Sequence, residues 1–348
     1  MNQYDLYRAS SAMRKISKGN EYYEDKLRIV SNERSVRLCS TDCDSHAETV
    51  FSYAAPMFDV TVSHRMFVKA MRCKKSDSNS VDMYEYGDVL RINPGKLLVE
   101  LPIIKQPKSP KPFEHYPDGK EFSPPSTLIN VLNFSLSSAC TDETRSHICS
   151  VLFDSNCMVS TDGNRIHIQS SVIPIEKKLL IPFNKLSAVS SLMYGATKTN
   201  VCAQDESITF KIAKPNCEHF ILCKEINAKY PPYEQAVPKD YIVKAIVESD
   251  ILRMALNDKQ LKGPATCLQI NEYGIKIGTS HDTKESVSTI LSSVKYGSGL
   301  STGIDKRYLL EAISGYRGLV EIYANCELDP IRLELDTDRT AIIMPMRL

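Results

Sequence analysis

Hydrophobic and polar residues recur along this chain with two different periods, and each period predicts one kind of element. Six stretches carry apolar residues at spacings of three and four, which is typical of a helix with one buried face. Between them the period changes to two, as in Ile331 to Leu335 and Leu90 to Ile92, which is typical of half-buried strands. Helices in one layer and strands in another predict an α+β fold.

The predicted helix starts recur at nearly constant intervals. Ser63, Asn184 and Asp305 each follow an apolar residue and open an amphipathic stretch, and both gaps are 121 residues. Such side chains accept hydrogen bonds from the free amides of a first helical turn, so each is a predicted cap. Asp5 and the serines at 126 and 249 precede the other three helical patterns, at gaps of 121 and 123 residues.

This internal repeat predicts three similar domains, each with two helices packed on antiparallel sheets. Their predicted bounds are residues 1–122, 123–240 and 241–348. Prolines are frequent between Pro102 and Pro125, and again between Pro231 and Pro238. Because proline cannot donate to a strand ladder, these two segments are the predicted inter-domain connections.

The net charge of +1, from 43 basic and 42 acidic residues, means that a nucleic-acid role would depend on where the charges lie. In the first two helices the predicted inward residues are Leu6, Ala9, Met13 and Ile16, then Met66, Ala70 and Cys73. Basic residues without acids follow other faces, where they would contact DNA phosphates without reading sequence. The DNA-binding candidates are Arg8, Arg14, Lys15, Lys18, Arg65, Lys69, Arg72, Lys185, Arg253 and Lys306. The alternative is a solvated, lysine-rich helix face.

Catalytic and cofactor motifs are missing from the sequence. There is no phosphate-binding Gly-x-x-x-x-Gly-Lys-Ser/Thr loop, and the glycines between 297 and 303 have the wrong spacing for a dinucleotide site. A nuclease using Asp42 and Asp162 with a metal is a rival hypothesis, although the two acids lie a domain apart. His64 and His167 fall within helix or strand patterns and are predicted to be structural. The sequence predicts neither an enzyme nor a cofactor.

Metal and membrane sites are also not predicted. Cys39 and Cys43, or Cys217 and His219, lack a matching second pair at zinc-site spacing. The polar start at Met1, the 11 scattered cysteines and the lack of a long apolar run predict a cytoplasmic protein with reduced thiols.

Four short segments resemble signature segments of the bacterial sliding clamp, the β subunit of DNA polymerase III. They are Ile342 to Leu348 (IIMPMRL), Thr161 to Ile166 (TDGNRI), Tyr230 to Pro238 and Gly303 to Leu310. The C-terminal segment is the most specific of the four, and the predicted three-domain repeat covers the whole chain. The first domain matches least well, which suits a divergent clamp, such as one encoded by a phage or another mobile element.

The resemblance implies a head-to-tail homodimer that closes into a ring around double-stranded DNA, with helices lining the hole. It also implies a DNA polymerase processivity factor that binds the polymerase and clamp-loader subunits through short linear motifs. A closed ring would join Leu97 to Val99 of one protomer to Ala265 to Leu268 of the other. A rival hypothesis is a non-encircling decoy that binds replication proteins and needs no basic lining.

Carried over position by position, the resemblance implies a peptide-binding pocket. Its residues are Ile148, Thr161, Gly163, Asn164, Arg165, Ile166, Pro231, Ala236, Tyr308, Ile342, Met344, Pro345, Met346 and Arg347. Methionine side chains adapt to several partners, and an apolar pocket suits leucine and phenylalanine anchors. Ala236 is smaller than the residue usual in the family. Without the resemblance, Met344 and Met346 would simply end a core strand.

Overall fold

The computed structural model of this chain describes residues 1–17, 25–42, 44–74, 79–105, 116–204, 206–261, 263–279, 286–290, 293–296 and 299–347. Statements about the fold and its sites refer to these residues. The α-helices among them are α1 (Gln3–Ile16), α2 (His64–Met71), α3 (Ser126–Ser137), α4 (Phe183–Met193), α5 (Ser249–Leu256) and α6 (Lys306–Ala312). None of these helices is long and apolar enough to cross a bilayer.

The strands outnumber the helices and are short, as the period-two pattern predicted. They are β1 (Lys26–Ser31), β2 (Ser35–Thr41), β3 (Ser45–Ser52), β4 (Phe58–Ser63), β5 (Val81–Tyr86), β6 (Val89–Pro94), β7 (Val99–Pro102), β8 (Lys120–Phe122), β9 (Ser150–Phe153), β10 (Cys157–Thr161), β11 (Arg165–Ser170), β12 (Leu179–Pro182), β13 (Lys198–Gln204), β14 (Ser207–Lys214), β15 (Cys217–Lys224), β16 (Val243–Glu248), β17 (Ala265–Asn271), β18 (Gly274–Gly278), β19 (Ser286–Ile290), β20 (Ser293–Tyr296), β21 (Leu300–Asp305), β22 (Leu319–Ala324), β23 (Ile331–Glu334) and β24 (Arg339–Ile343).

Of the three helix caps predicted at intervals of 121 residues, two are confirmed. Ser63 and Asp305 accept hydrogen bonds from first-turn amides of α2 and α6, at 3.2 and 2.9 Å. Asn184 is not the cap of α4, because that helix already begins at Phe183. The other three helices begin at Gln3 and at the serines 126 and 249, so their starts are 123 residues apart each time. The predicted domain bounds stay predictions.

Residues Met1–Ile129 and Ile173–Ile226 form one compact unit. Its main sheet has eight strands in the order β4-β1-β2-β3-β15-β14-β13-β8. The central pairing joins β3 to β15 in antiparallel register, from Ser45 opposite Cys223 to Phe51 opposite Cys217. Helix α1 packs on β3, α4 packs on β14 and β15, and α1 packs on both α2 and α4. A separate sheet is formed by β5, β6 and β7.

Residues Asn130–Val172 and Asn227–Leu348 form the second compact unit. One sheet continues through β9-β10-β11-β24-β23-β22-β16-β20, and another has the order β19-β18-β17-β21. The side chains between these sheets and α5 and α6 form an apolar core that includes Leu252, Leu268, Ile304 and Ile322, all fully buried. The alternating burial of β23 confirms the predicted half-buried strand there.

Three sequence expectations are corrected by the packing. The proline-rich connection contains a strand, β8, which pairs with β13. Helix α2 buries His64, Phe67 and Met71, whereas Met66, which was predicted to point inward, is 44% exposed. In such a short helix, residues on more than one face have spacings of three and four. The face that is buried is the one that packs against neighbours such as β1 and β7.

The third correction concerns the predicted contact surface at Ala265 to Leu268. These residues begin β17, which pairs with β21 on one side and with β18 on the other. A strand from another copy cannot add to a backbone whose hydrogen bonds are already made.

The predictions that His64 and His167 are structural are confirmed. The His64 ring donates from Nε2 to the carbonyl of Ser10 at 2.8 Å and so ties α2 to α1. His167 stacks on Phe134 with ring centroids 4.4 Å apart, and its Nδ1 bonds the Phe134 carbonyl at 2.9 Å. Burial lowers the pKa of both rings to about 4. Nε2 of His167 is buried and has no hydrogen-bond partner among the described residues, so a proton there would place a charge without compensation in a buried site.

We expect His167 to make the stability of the protein pH-dependent. An unfolded chain binds a proton at this ring below about pH 6.5, but the folded chain does so only near pH 4, so the free energy of unfolding falls as the pH falls through this window. His167→Gln should reduce that slope by about 1.4 kcal/mol per pH unit. Urea unfolding between about pH 7 and pH 5 measures it. His147→Gln is the control, because His147 is exposed; equal slopes in both variants would contradict the assignment.

Candidate functional site

The segment from Thr161 to Arg165 forms a tight turn that its own side chains build. The carboxylate of Asp162 accepts from the amide of Asn164 at 2.9 Å, and the Thr161 hydroxyl accepts from the amide of Gly163 at 3.0 Å. Gly163 has a φ of +96°, a conformation that favours glycine. The turn therefore needs these residue types in this order, and it joins β10 to β11.

The C-terminal residues lie beside this turn. Strand β24 pairs with β11 so that Ile342 is opposite Ile166 and Ile343 is opposite Arg165. Beyond the end of β24, the amide of Met344 donates to the carbonyl of Asn164 at 2.9 Å. The TDGNRI and IIMPMRL segments, which are far apart in sequence, are thus adjacent.

The methionines lie just beyond β24. Met344 is 40% exposed, so the alternative in which it ends a buried strand is wrong. Met346 is half-buried, and its amide donates to the carbonyl of Gly303 at 2.8 Å. Pro345 is half-buried and Arg347 is exposed. The chain therefore presents two adaptable apolar side chains at a fixed place on the surface.

Arg165 connects the turn to α6. Its side chain is 9% exposed and its guanidinium carbon lies 4.4 Å from the centre of the Tyr308 ring. Its Nε donates to Asp162 at 3.0 Å, and its Nη1 donates to Glu311. Two carboxylates and a ring face thus compensate for a buried cation.

Glu311 was missed by the sequence reasoning. It lies three residues after Tyr308 on α6, and residues three apart share a helix face. That spacing, next to a predicted pocket residue, was the signal that could have found it.

The remaining predicted pocket residues border β10. One amide, that of Cys140, donates to the carbonyls of both Ile148 and Thr161 at 3.2 Å. The segment with Pro231 and Ala236 is attached to the same strand, because the Tyr230 hydroxyl donates to the carbonyl of Val159 at 3.4 Å. Ile148 is buried, whereas Pro231 and Ala236 are half-buried.

The predicted basic stripe on α1 and α2 is largely open to solvent. Leu6, Ala9, Met13 and Ile16 are buried as predicted. Exposed basic residues on these helices and just after α2 are Arg14, Lys15, Arg65, Lys69 and Arg72. Lys18 lies outside the described residues. Arg8 is half-buried and donates to the carbonyl of Ser191 at 2.6 Å.

Lys185 is placed differently from the prediction. Its side chain is only 8% exposed, and Nζ lies 3.0 Å from a carboxylate oxygen of Asp42. The hydroxyl of Ser45 accepts from the same ammonium at 2.5 Å. Because this charge is buried and paired, we remove Lys185 from the DNA-binding candidates.

Two candidates in the second unit are engaged by main-chain carbonyls. Arg253 donates from Nη2 to the carbonyls of Ile313 and Tyr316 at 2.8 and 2.9 Å. Lys306 donates to the carbonyl of Leu261 at 2.6 Å. Both side chains thereby join α5 to α6 and their flanking loops.

The thiol–imidazole pair of Cys217 and His219 is unsuited to nucleophilic catalysis. Sγ of Cys217 lies 3.7 Å from Nε2 of His219, and both residues are buried. Burial raises the pKa of the thiol to about 11 and lowers the pKa of the imidazole to about 3. At neutral pH the thiol keeps its proton and the ring does not take it, so a thiolate does not form.

The acids of the rival nuclease hypothesis are also engaged. Asp42 accepts from Lys185, and Asp162 accepts from Arg165 and from the amide of Asn164. Within the described ranges, no three or more His, Cys, Asp or Glu side chains are grouped so that they could hold a metal ion.

The structure of this chain is similar to solved structures of one kind of protein. The chain superimposes on the DNA polymerase III β subunit of Thermotoga maritima with a TM-score of 0.78 over 100% of this chain and 98% of that one, at 14% identity. For the Borrelia burgdorferi subunit in complex with a natural product, the TM-score is 0.78 over 100% and 97%, at 22% identity. The chain has the sliding-clamp fold.

Comparison of sequences also finds a sliding clamp, although the match covers less of the chain than the structural matches do. A β sliding clamp of Borreliella burgdorferi is 26% identical over 237 residues, which are 64% of this chain and 60% of that relative. No protein-family model matches the chain. The predicted resemblance to bacterial sliding clamps and the predicted α+β clamp fold are therefore confirmed, at a divergent level of sequence identity.

Within the sliding-clamp fold, the two candidate surfaces of this chain are distinct. One is the exposed basic side of α1 and α2. The other, which we call the methionine surface, comprises Arg165, Tyr308, Met344, Pro345 and Met346. The first carries exposed basic side chains, whereas the second carries apolar side chains and a neutralised cation, so the two suit different partners.

Proposed function

We propose that this protein is a DNA polymerase processivity factor, a homodimeric ring that encircles double-stranded DNA and slides without sequence specificity. The observation that carries the proposal is the match of the entire chain to the sliding-clamp fold at a TM-score of 0.78. The engaged acids and the protonated thiol support a binding role without catalysis.

The basic side of α1 and α2 supports the DNA-binding part of this proposal. Its proposed contacts are Arg8, Arg14, Lys15, Lys18, Arg65, Lys69 and Arg72. Cations on long, solvated side chains attract any duplex through its phosphates and read no bases. Arg14 lies 3.9 Å from the carboxylate of Asp25, but the Arg14 side chain is 48% exposed, and a pair that is open to solvent holds the guanidinium only weakly.

Topology supplies retention in this mechanism. A closed ring does not leave DNA sideways, so no single contact has to be strong. Weak phosphate contacts exchange as the ring moves, and the duplex remains enclosed. Affinity for a linear duplex therefore depends on salt, whereas retention on circular DNA does not.

Charge reversal tests the basic lining. In R14E/K15E/R65E, the logarithmic salt dependence of linear-duplex binding should decrease by about 0.9 for each phosphate that the protein no longer neutralises. Fluorescence anisotropy at several salt concentrations measures this slope. The control is K177E/K224E/K229E, which changes the charge equally at exposed lysines outside the helices.

The same variants separate the ring from its rival. If R14E/K15E/R65E supports processive synthesis as well as the control does, the non-encircling decoy is favoured and the ring proposal is wrong.

The methionine surface supports the partner-binding part of the proposal. We assign it to short linear motifs of the polymerase and the clamp loader, whose leucine and phenylalanine anchors would be buried against Met344, Met346 and Tyr308. The neutralised Arg165 keeps the surface free of an unpaired buried charge, which would otherwise oppose apolar binding.

A charge in this surface should prevent motif binding. Met344→Glu should weaken the binding of a polymerase-derived peptide at least tenfold, because burying a carboxylate without a partner costs more than about 1.4 kcal/mol. Fluorescence polarisation with a labelled peptide measures it. Met57→Glu is the control, because Met57 is an exposed methionine of the other compact unit. Equal affinity of the two variants would remove the methionine surface from the proposal.

Closure of the ring requires two different surfaces of each protomer. One candidate is β7, an edge strand that follows the exposed Leu97 and Leu98. In the sheet that contains β17, the amide of Met346 donates to a carbonyl of β21, and β19 is the other edge strand among the described residues. We therefore replace the predicted partner Ala265 to Leu268 with the β19 edge.

Replacing the leucines with acids should open the ring. L97D/L98D should convert a particle with the mass of two chains into one with the mass of a single chain at micromolar concentration, because charges would desolvate at the contact. Light scattering after size exclusion measures the mass. Leu328→Asp, at a leucine that is 63% exposed, should stay dimeric. A monomeric wild type would contradict closure.

A further inference from the structure

A small cleft in the first compact unit lies where α1, the end of α4 and the β14–β15 hairpin meet. It encloses about 180 Å³, which is space for several water molecules. The lining residues with ionisable side chains are Asp5, Arg8, Tyr194, Lys214, Cys217 and His219. The cleft shares Arg8 with the basic side of α1 and α2, and its other lining residues belong neither to that side nor to the methionine surface.

Two cations line the cleft and repel each other. Burial lowers the pKa of Lys214, and the nearby positive charge of Arg8 lowers it further. Within the described part of the chain, the Lys214 ammonium has no hydrogen-bond or ion-pair partner. A half-buried ammonium next to a guanidinium is an unfavourable arrangement unless an anion is present.

The other groups in the cleft do not cancel this charge. Cys217 is a thiol and His219 is a neutral imidazole at neutral pH, because their pKa values are about 11 and about 3. The imidazole is held by the Thr49 hydroxyl, 2.9 Å from Nδ1. Asp5 supplies one negative charge but is exposed to solvent. Two cations against one screened carboxylate leave the cleft positive.

The geometry of the cleft suits an oxyanion. Arg8 is oriented by its bond to the Ser191 carbonyl at 2.6 Å, which leaves other guanidinium N–H groups available. Lys214 is held at the end of β14, opposite Cys217 across the two-residue turn Pro215–Asn216. Asn216 also lines the cleft. A fixed guanidinium and a rotating ammonium together form strong charge-assisted hydrogen bonds to a phosphate group.

We infer that Arg8 and Lys214 form a phosphate-binding site in this cleft. The site takes a tetrahedral phosphate oxyanion, either a phosphodiester of the DNA backbone or a free phosphate. The phosphodiester form rests on the proposed DNA-binding function, whereas the binding of free phosphate does not. Lys214 was not among the DNA-binding residues predicted from the sequence.

Thermal unfolding in sodium phosphate and in sodium chloride at equal ionic strength tests the site. Phosphate at concentration c stabilises the folded protein by RT ln(1 + c/Kd), so the rise of the melting temperature with phosphate concentration yields an apparent Kd. Lys214→Gln and Arg8→Gln should each raise this Kd about tenfold, since each removes a charged hydrogen-bond donor. Their melting temperatures in chloride show whether they fold.

Matched controls are available on the same hairpin. Lys211→Gln on β14 and Lys224→Gln on β15 remove exposed cations that do not line the cleft. Both controls should keep the phosphate response of the wild type. If Lys214→Gln and Arg8→Gln also keep it, the inference is wrong.

A second arm identifies the source of the phosphate. If Lys214→Gln also reduces the salt slope of linear-duplex binding by about 0.9, the site binds a backbone phosphodiester. If the slope is unchanged and only the phosphate response disappears, the ligand is a free phosphate. A wild type that binds no duplex contradicts the proposed function, while the phosphate titration still decides whether the site exists.

Discussion

Backbone pairing between strands from distant parts of the chain is the constraint on which both compact units depend. In the first unit β3 pairs with β15, and in the second β11 pairs with β24. Each pairing completes a sheet of many strands from two shorter runs, so that the helices pack on a continuous apolar face. Without the β11–β24 pairing, the turn at Asn164 and the methionines beyond Ile343 would have no fixed relation.

The candidate surfaces of the two units use charge in opposite ways. On α1 and α2, Arg14, Lys15, Arg65 and Lys69 are exposed to solvent, as the proposed weak and exchangeable contacts with phosphates require. At Arg165, the cation is buried and is paired with the carboxylates of Asp162 and Glu311. The apolar methionine surface therefore contains no unpaired charge. Lys185 illustrates the second case in the first unit, because its pairing with Asp42 converts a predicted DNA contact into an internal tie.

Local sequence patterns predicted the structure correctly where it depends only on residues close together in the chain. Ser63 and Asp305 cap helices because a cap involves only the next few residues. The buried face of α1 followed from spacing alone, since fourteen residues give the pattern several turns to repeat. Helix α2 has only eight residues, and its buried face was assigned wrongly. The turn from Thr161 to Arg165 was readable because its own side chains build it.

The sequence by itself therefore determined the helix and strand types, the repeat and the residue types of both candidate surfaces. Tertiary structure alone decided that Lys185 is buried, that β17 has no free edge and that Glu311 reaches Arg165. It also brought Lys214 to Arg8 across more than two hundred residues. The physical reason is that burial and pairing depend on what lies opposite a side chain, and the opposite element comes from a remote part of the chain.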